Sequence, residues 1–194
     1  MLSSHLSVRK RLYFGFGLIL AILVVLTVVA IAKVQAINAA LQAVSQEHAA
    51  IQRYAINFRG SAHDRAIAVR DVVLSSTPEQ RQAEVATIEQ LARFYAESAG
   101  PLEQLLKTSS NAAELRVLYG AIQSIESQAV ATSKAIVSKI EAGDAEGAQR
   151  QLWNEAKPQY VAWLAAVNKL IDFEEARIQS ENAIAMGEAG SFLS

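Results

Sequence analysis

The stretch INAALQAVSQEHAAIQRYAINFRGSAHDRAIAVRDV, residues 37–72, sets Ile37, Leu41, Val44, His48, Ile51, Ala55, Phe58, Ala62, Arg65, Val69 and Val72 at alternating steps of four and three. That spacing holds one stripe of side chains on a single helix face over about five heptads. A strand would alternate in steps of two, and no run of that kind bounded by turn residues stands out in the chain. The expected fold class is therefore all-α. A helix with so long an apolar seam must bury it, and it is expected to pack both in its own bundle and along a parallel copy, in a symmetric homodimer through the first helix.

Toward the N-terminus the pattern continues through Val34 into LYFGFGLILAILVVLTVVAIA, residues 12–32, a run of 21 residues without a charge. At a rise of ~1.5 Å per residue it is about 31 Å long, enough to cross a bilayer. A cleaved signal peptide has a shorter apolar run ending at small residues, whereas here the helical pattern passes straight on. A retained transmembrane helix continuous with the first bundle helix is expected. Arg9, Lys10 and Arg11 flank it on one side and Lys33 alone on the other. That bias puts residues 1–11 in the cytoplasm and the body, residues 33–190, across the membrane. Residues 191–194 are expected to begin a truncated second transmembrane helix.

Toward the C-terminus, Ser75-Ser76-Thr77-Pro78-Glu79-Gln80 ends the first helix near Leu74 and starts a second, with Thr77 as cap, Pro78 in the first turn and Gln80 closing a capping box. Val85, Ile88, Leu91, Tyr95, Leu102 and Leu105 carry it on, with a kink expected at Gly100-Pro101. Asn111 and Glu114 open a third helix through Leu115, Ile122, Ala129 and Ile136, and Gly143 closes it. Asp144 is expected to cap a short helix up to Ala156, and Pro158 to open the last long one through Tyr160, Trp163, Val167 and Leu170. Short turns between long helices give an antiparallel up-down four-helix bundle.

Composition narrows the function. With 52% hydrophobic residues the chain is too apolar to stay disordered. It has no cysteine, which removes thiolate metal sites, thiol nucleophiles and disulfides. The formal net charge of −1 leaves no basic footprint for nucleic acid. The histidines at 5, 48 and 63 lack metal-ligand spacing and no phosphate-cradling glycine loop occurs, so no enzyme, metal or cofactor is expected.

Arg65 occupies a seam position, where a guanidinium must be paired or desolvated. It either meets a carboxylate of a neighbouring helix or holds an anion. Arg59, His63, Ala66 and Arg70 flank the seam in steps of four, three and four, a solvated charged face or an anion-binding stripe, and Gly60 beside Arg59 suits close approach. Trp153, Tyr160 and Trp163 are core or rim aromatics, or walls of a ligand pocket. Counted along antiparallel helices, residues near Pro158 and residues 133–137 fall level with these arginines.

Val8-Arg9-Lys10-Arg11-Leu12 leading into the membrane run, the stretch Ile56–Asp71, and Lys157–Trp163 with Leu170-Ile171-Asp172-Phe173 together resemble the N-terminal part of bacterial methyl-accepting chemotaxis receptors with a four-helix-bundle sensor. The resemblance implies an inner-membrane protein whose periplasmic sensor is a homodimer binding a small organic acid near its distal end. The implied ligand residues are Arg59, Arg65 and Arg70, drawn from both chains of the dimer with Arg65 near its symmetry mate, and His63, Tyr160 and Trp163 around them. It also implies transmembrane signalling by way of segments beyond this chain. The same bundle serving a histidine kinase or nucleotide cyclase, and a ligand-free membrane-anchored coiled-coil scaffold, are the other two readings.

Overall fold

The computed structural model describes residues 8–191, in two compact units, Met1–Val44 and Ser45–Ser194. Residues 1–7 of the expected cytoplasmic segment and 192–194 of the expected second span lie outside the described residues. The protein is all-α. Helix α1 is assigned over Val8–Leu74.

In the first unit, Arg9–Gln35 is long and apolar enough to cross a membrane, with a mean hydropathy of 3.0 over 18 residues, and none of it is buried within the protein. Leu, Ile, Val and Phe side chains point outward on every side of this helix. Such a surface is stable against lipid and not against water. The one hydroxyl in its middle is satisfied internally, Thr27 Oγ1 donating to the Leu23 carbonyl at 2.8 Å.

The second unit is a four-helix bundle made of the rest of α1, α2 (Pro78–Thr108), α3 (Ala112–Glu141), and a composite last helix. That helix comprises α4 (Ala145–Gln151), a π-helical turn at Leu152–Ala156, and α5 (Lys157–Ser191). Thr77 caps α2 as its sequence requires. Its hydroxyl accepts from the Gln80 N–H while the Gln80 side chain accepts from the Thr77 N–H.

Asn111 stands at the cap position of α3 without capping it: its amide donates to Ser110 Oγ, and its own N–H is taken by Ser109 Oγ. At the other end of α3, Gly143 has φ +83°, with Gly143 N–H donating to Ile140 and Asp144 N–H to Lys139. This six-to-one, five-to-two pair of bonds needs a left-handed residue, which glycine supplies without strain. Asp144 then caps α4 through the Gly147 N–H at 2.9 Å.

The expected break before Pro158 does not occur. Instead the Lys157 N–H reaches five residues back to the Leu152 carbonyl, and the helix widens rather than stops. Proline has no N–H to place, so a turn that has already left the regular bonding ladder accommodates it in the second position of α5.

From His48 to Val72 the α1 stripe is buried by the chain's own helices. The expected packing of this seam within the chain's own bundle holds at these positions, where four helices of similar length enclose the stripe. At mid-height an aromatic column joins the bundle. Phe58 of α1 stacks on Tyr95 of α2 with centroids 3.9 Å apart, Tyr95 meets Trp163 of α5 edge-on at 5.5 Å, and Trp163 stacks on Tyr160 at 5.6 Å. Polar ties cross it: Asn57 Nδ2 donates to Ser98 Oγ at 3.1 Å and Ser61 Oγ to the Leu91 carbonyl at 2.7 Å.

Candidate functional site

The bundle sorts the six residues singled out in the sequence into three places. Arg59 and His63 are exposed on α1 and line a shallow groove of about 410 Å³ with Gly60 and, from α5, Leu164 and Asn168. A Cβ at Gly60 would meet nothing, so this glycine leaves open surface and not a tight helix contact. His63 Nδ1 lies 3.2 Å from Asp64 Oδ1, both in solvent, a pairing worth little in itself.

Arg70 is exposed two turns beyond His63 and donates through Nε to Asp71 Oδ1 at 3.0 Å. It borders a second groove, about 360 Å³, walled by Leu152, Trp153, Ala156, Tyr160 and Leu164 and carrying a second cation, Lys157. The Lys157 ammonium sits 4.4 Å from the Trp153 ring centroid. The π turn builds this wall: Leu152 and Ala156 face inward while Trp153 and Lys157 stand at the rim. Trp153 stands at the wall as one of the aromatics singled out in the sequence, whereas Lys157 was outside the expected set, although its place beside Pro158, level with the arginines, was open to the same counting.

Arg65 is placed elsewhere. It is 4% exposed inside its own bundle, with the guanidinium carbon 5.1 Å from the centroid of Trp163. This corrects the picture in which Arg65 faces its symmetry mate across a dimer. Trp163 is fully buried, and Tyr160 nearly so. Ser133 Oγ donates to the Ala129 carbonyl at 2.7 Å, so the Tyr160 hydroxyl is the donor in its 3.0 Å bond to Ser133. Burial pushes the Tyr160 phenol up, against the pull of Ser133 and the Arg65 charge. Burial likewise raises the Glu126 carboxyl of α3, while the Arg65 charge and Tyr95 act to lower it. Tyr160 and Trp163 thus join Arg65 in the interior, and Tyr160 alone also reaches the Arg70 groove.

A further buried polar cluster was hidden in the seam. His48 is fully enclosed, with Nδ1 2.5 Å from Glu174 Oε2 and Nε2 3.2 Å from Glu181 Oε1. The two carboxylates face opposite nitrogens of the ring and do not converge on a point that a metal ion could occupy. Its only trace in the sequence was a histidine at an apolar heptad position.

A family model described as a four helix bundle sensory module for signal transduction matches residues 5–184. Among curated proteins none matches the chain.

Proposed function

The chain belongs to the four-helix-bundle sensory modules of signal transduction, and from that premise we propose that it is the sensing and anchoring part of a chemotaxis-type receptor that binds a small organic acid. Leu12–Ala32 anchors it in the plasma membrane, with Arg9, Lys10 and Arg11 on the cytoplasmic side and the bundle on the periplasmic side.

The observation that carries the ligand reading is the groove beside Arg70. Two cations, Arg70 and Lys157, stand at the edge of an otherwise apolar hollow with Trp153 and Tyr160 in its wall. Its size is that of a small-molecule site. A guanidinium fork matches a carboxylate in two-point geometry, and an ammonium adds a point charge. An organic acid with an apolar or aromatic body satisfies both halves of the groove.

Association follows from the outer face of α1. Ala49, Arg53, Ile56, Gly60, His63, Ile67, Arg70 and Leu74 are all exposed, and they recur in steps of four and three. This is a second seam, opposite the buried one. A parallel copy packed on it forms the homodimer, covers Ile56, Ile67 and Leu74, and brings Arg59, His63 and Arg70 of both chains to the shared grooves. Ligand binding then strengthens the dimer, because the acid neutralises cations that the pairing crowds together.

Calorimetric titration of the full chain with benzoate, citrate and succinate tests the reading. Saturable binding of at least one acid, weakened tenfold or more by Arg70→Ala and by Arg59→Ala, is expected. Affinity unchanged in both variants, or no binding of any acid, would reject it in favour of a ligand-free scaffold.

A further inference from the structure

Among the described residues Arg65 is a buried cation with no anion in contact. Among the described residues no carboxylate oxygen comes within 4.0 Å of its guanidinium, and its Nε makes no hydrogen bond. The Trp163 face offers it a cation–π contact, and Glu126 acts on it only at longer range. Neither supplies a hydrogen-bond acceptor. A buried N–H without an acceptor is costly, and an acceptor entering beside the guanidinium relieves that cost.

One groove leads to this residue. It lies between α2 and α3, holds about 460 Å³, and has Arg65 in its lining. Its walls are Val85, Ile88 and Ala92 on one side and Val130 and Val137 with Ser133 and Ser138 on the other, with Glu89 and Lys134 at the edge. From Val85 to Ala92 it spans seven helical rises of ~1.5 Å, about 10 Å.

We propose that this groove is a second binding site, in which Arg65 receives the carboxylate of a small monocarboxylic acid whose apolar body lies between α2 and α3 along Val85, Ile88, Ala92, Val130 and Val137. The charge of Arg65 selects an anion, the planar fork selects a carboxylate, and the aliphatic walls select an apolar body over a second charge. The site is carried by one chain and stands apart from the Arg70 groove, so it holds whether or not that reading does. Glu126 is the internal competitor: it draws on the same cation, and an entering acid displaces that interaction.

Trp163 reports occupancy, since its ring lies against the guanidinium. The full chain in lipid nanodiscs, with Trp153→Phe so that Trp163 is the only indole, is titrated with hexanoate, with empty nanodiscs as blank. A saturable change in Trp163 emission is expected, with hexanol and chloride at least tenfold weaker. Arg65→Met should abolish it, and Ala92→Phe, which fills the groove without touching the charge, should weaken it tenfold or more. Glu126→Gln should tighten it, and Arg70→Ala should leave it unchanged. Silence toward hexanoate, an equal response to hexanol or chloride, or a response that survives Ala92→Phe overturns the proposal. If Arg65→Met fails to fold, the Ala92→Phe and Glu126→Gln titrations decide. Loss in Arg70→Ala alone would move the binding to the α1–α5 groove and equally overturn it.

Discussion

Nδ1 of His48 on α1 lies 2.5 Å from Oε2 of Glu174 on α5, and neither side chain is exposed to solvent. A proton must lie between two atoms so close, so the pair is a polar bolt through the apolar seam. The charges acting on Glu174 come from both helices: Glu47 and His48 on α1 and Arg177 on α5, while Glu181 holds the far side of the imidazole.

Burial raises the Glu174 carboxyl above its ordinary value, and His48 opposes the rise. A carboxyl whose folded pKa is raised stabilises the fold fully below its unfolded pKa, near 4.5, and loses that contribution as pH climbs through the folded value. Glu126 is shifted in the same direction by its own burial. Urea midpoints of the full chain should therefore fall as pH rises from the ordinary carboxylate range toward neutrality, and Glu174→Gln should flatten that dependence. Glu174→Ala strands His48 without its partner and should cost about 3–5 kcal/mol. A midpoint that climbs steadily over the same range would contradict the assignment.

The aromatic column makes Phe58 the most consequential apolar side chain of α1. Phe58→Ala removes the 3.9 Å stack on Tyr95 and opens a cavity where four helices meet, a loss of about 3–5 kcal/mol. Phe94, adjacent to Tyr95 but 44% exposed, is the control, and its alanine variant should stay within about 0.5 kcal/mol of the parent. Thermal or urea unfolding followed by circular dichroism measures both.

The turn after α3 depends on one backbone conformation. Gly143→Ala places a Cβ at φ +83° and should destabilise the protein by about 1 kcal/mol or slightly more, whereas Gly120→Ala on the exposed face of α3 should stabilise it by up to about 1 kcal/mol. Equal effects of the two would mean that the closing bonds to Ile140 and Lys139 contribute nothing.

The two faces of α1 give opposite expectations for cross-linking. Single cysteines at Ile56, Gly60 or Ile67 should join two copies efficiently in membranes, and a cysteine at Ala62 or Val69 should not, because those positions are enclosed by the chain's own bundle. Efficient joining only through α3 positions such as Val117 would relocate the interface.

Helix ends were legible wherever local chemistry decides them: Thr77 with Gln80, Gly143, Asp144. Asn111 stands at the start of α3 as its type and Glu114 predict, but its side chain caps nothing and its amide nitrogen donates to Ser110 Oγ instead, a contact between neighbours that residue type alone does not resolve. The spacing of the α1 stripe carried its burial, and from His48 to Val72 the chain's own bundle supplies it. Periodicity gives a face and not its partner, and of the outer stripe from Ala49 to Leu74 only the polar members His63 and Arg70 were legible, because arginine and histidine interrupt its apolar positions. For the same reason Arg65 was assigned to a shared surface: its heptad position already placed it with Phe58 and Val69, inside.

The π turn also fixes which way the last helix faces. Ala148, Leu152, Ala156 and Tyr160 are buried at steps of four, and Trp163, Val167 and Leu170 then follow at three, four and three. An unbroken α-helix would drift about 40° per step of four, since each residue advances about 100°, and after three such steps its inner face would have turned well away from the core. One residue held in the wide turn cancels that drift. It acts as a phase corrector, letting two segments with different numbering share one buried face, so that removing Asn154, exposed in the turn, is the single-residue edit the bundle should absorb by reverting to plain α geometry.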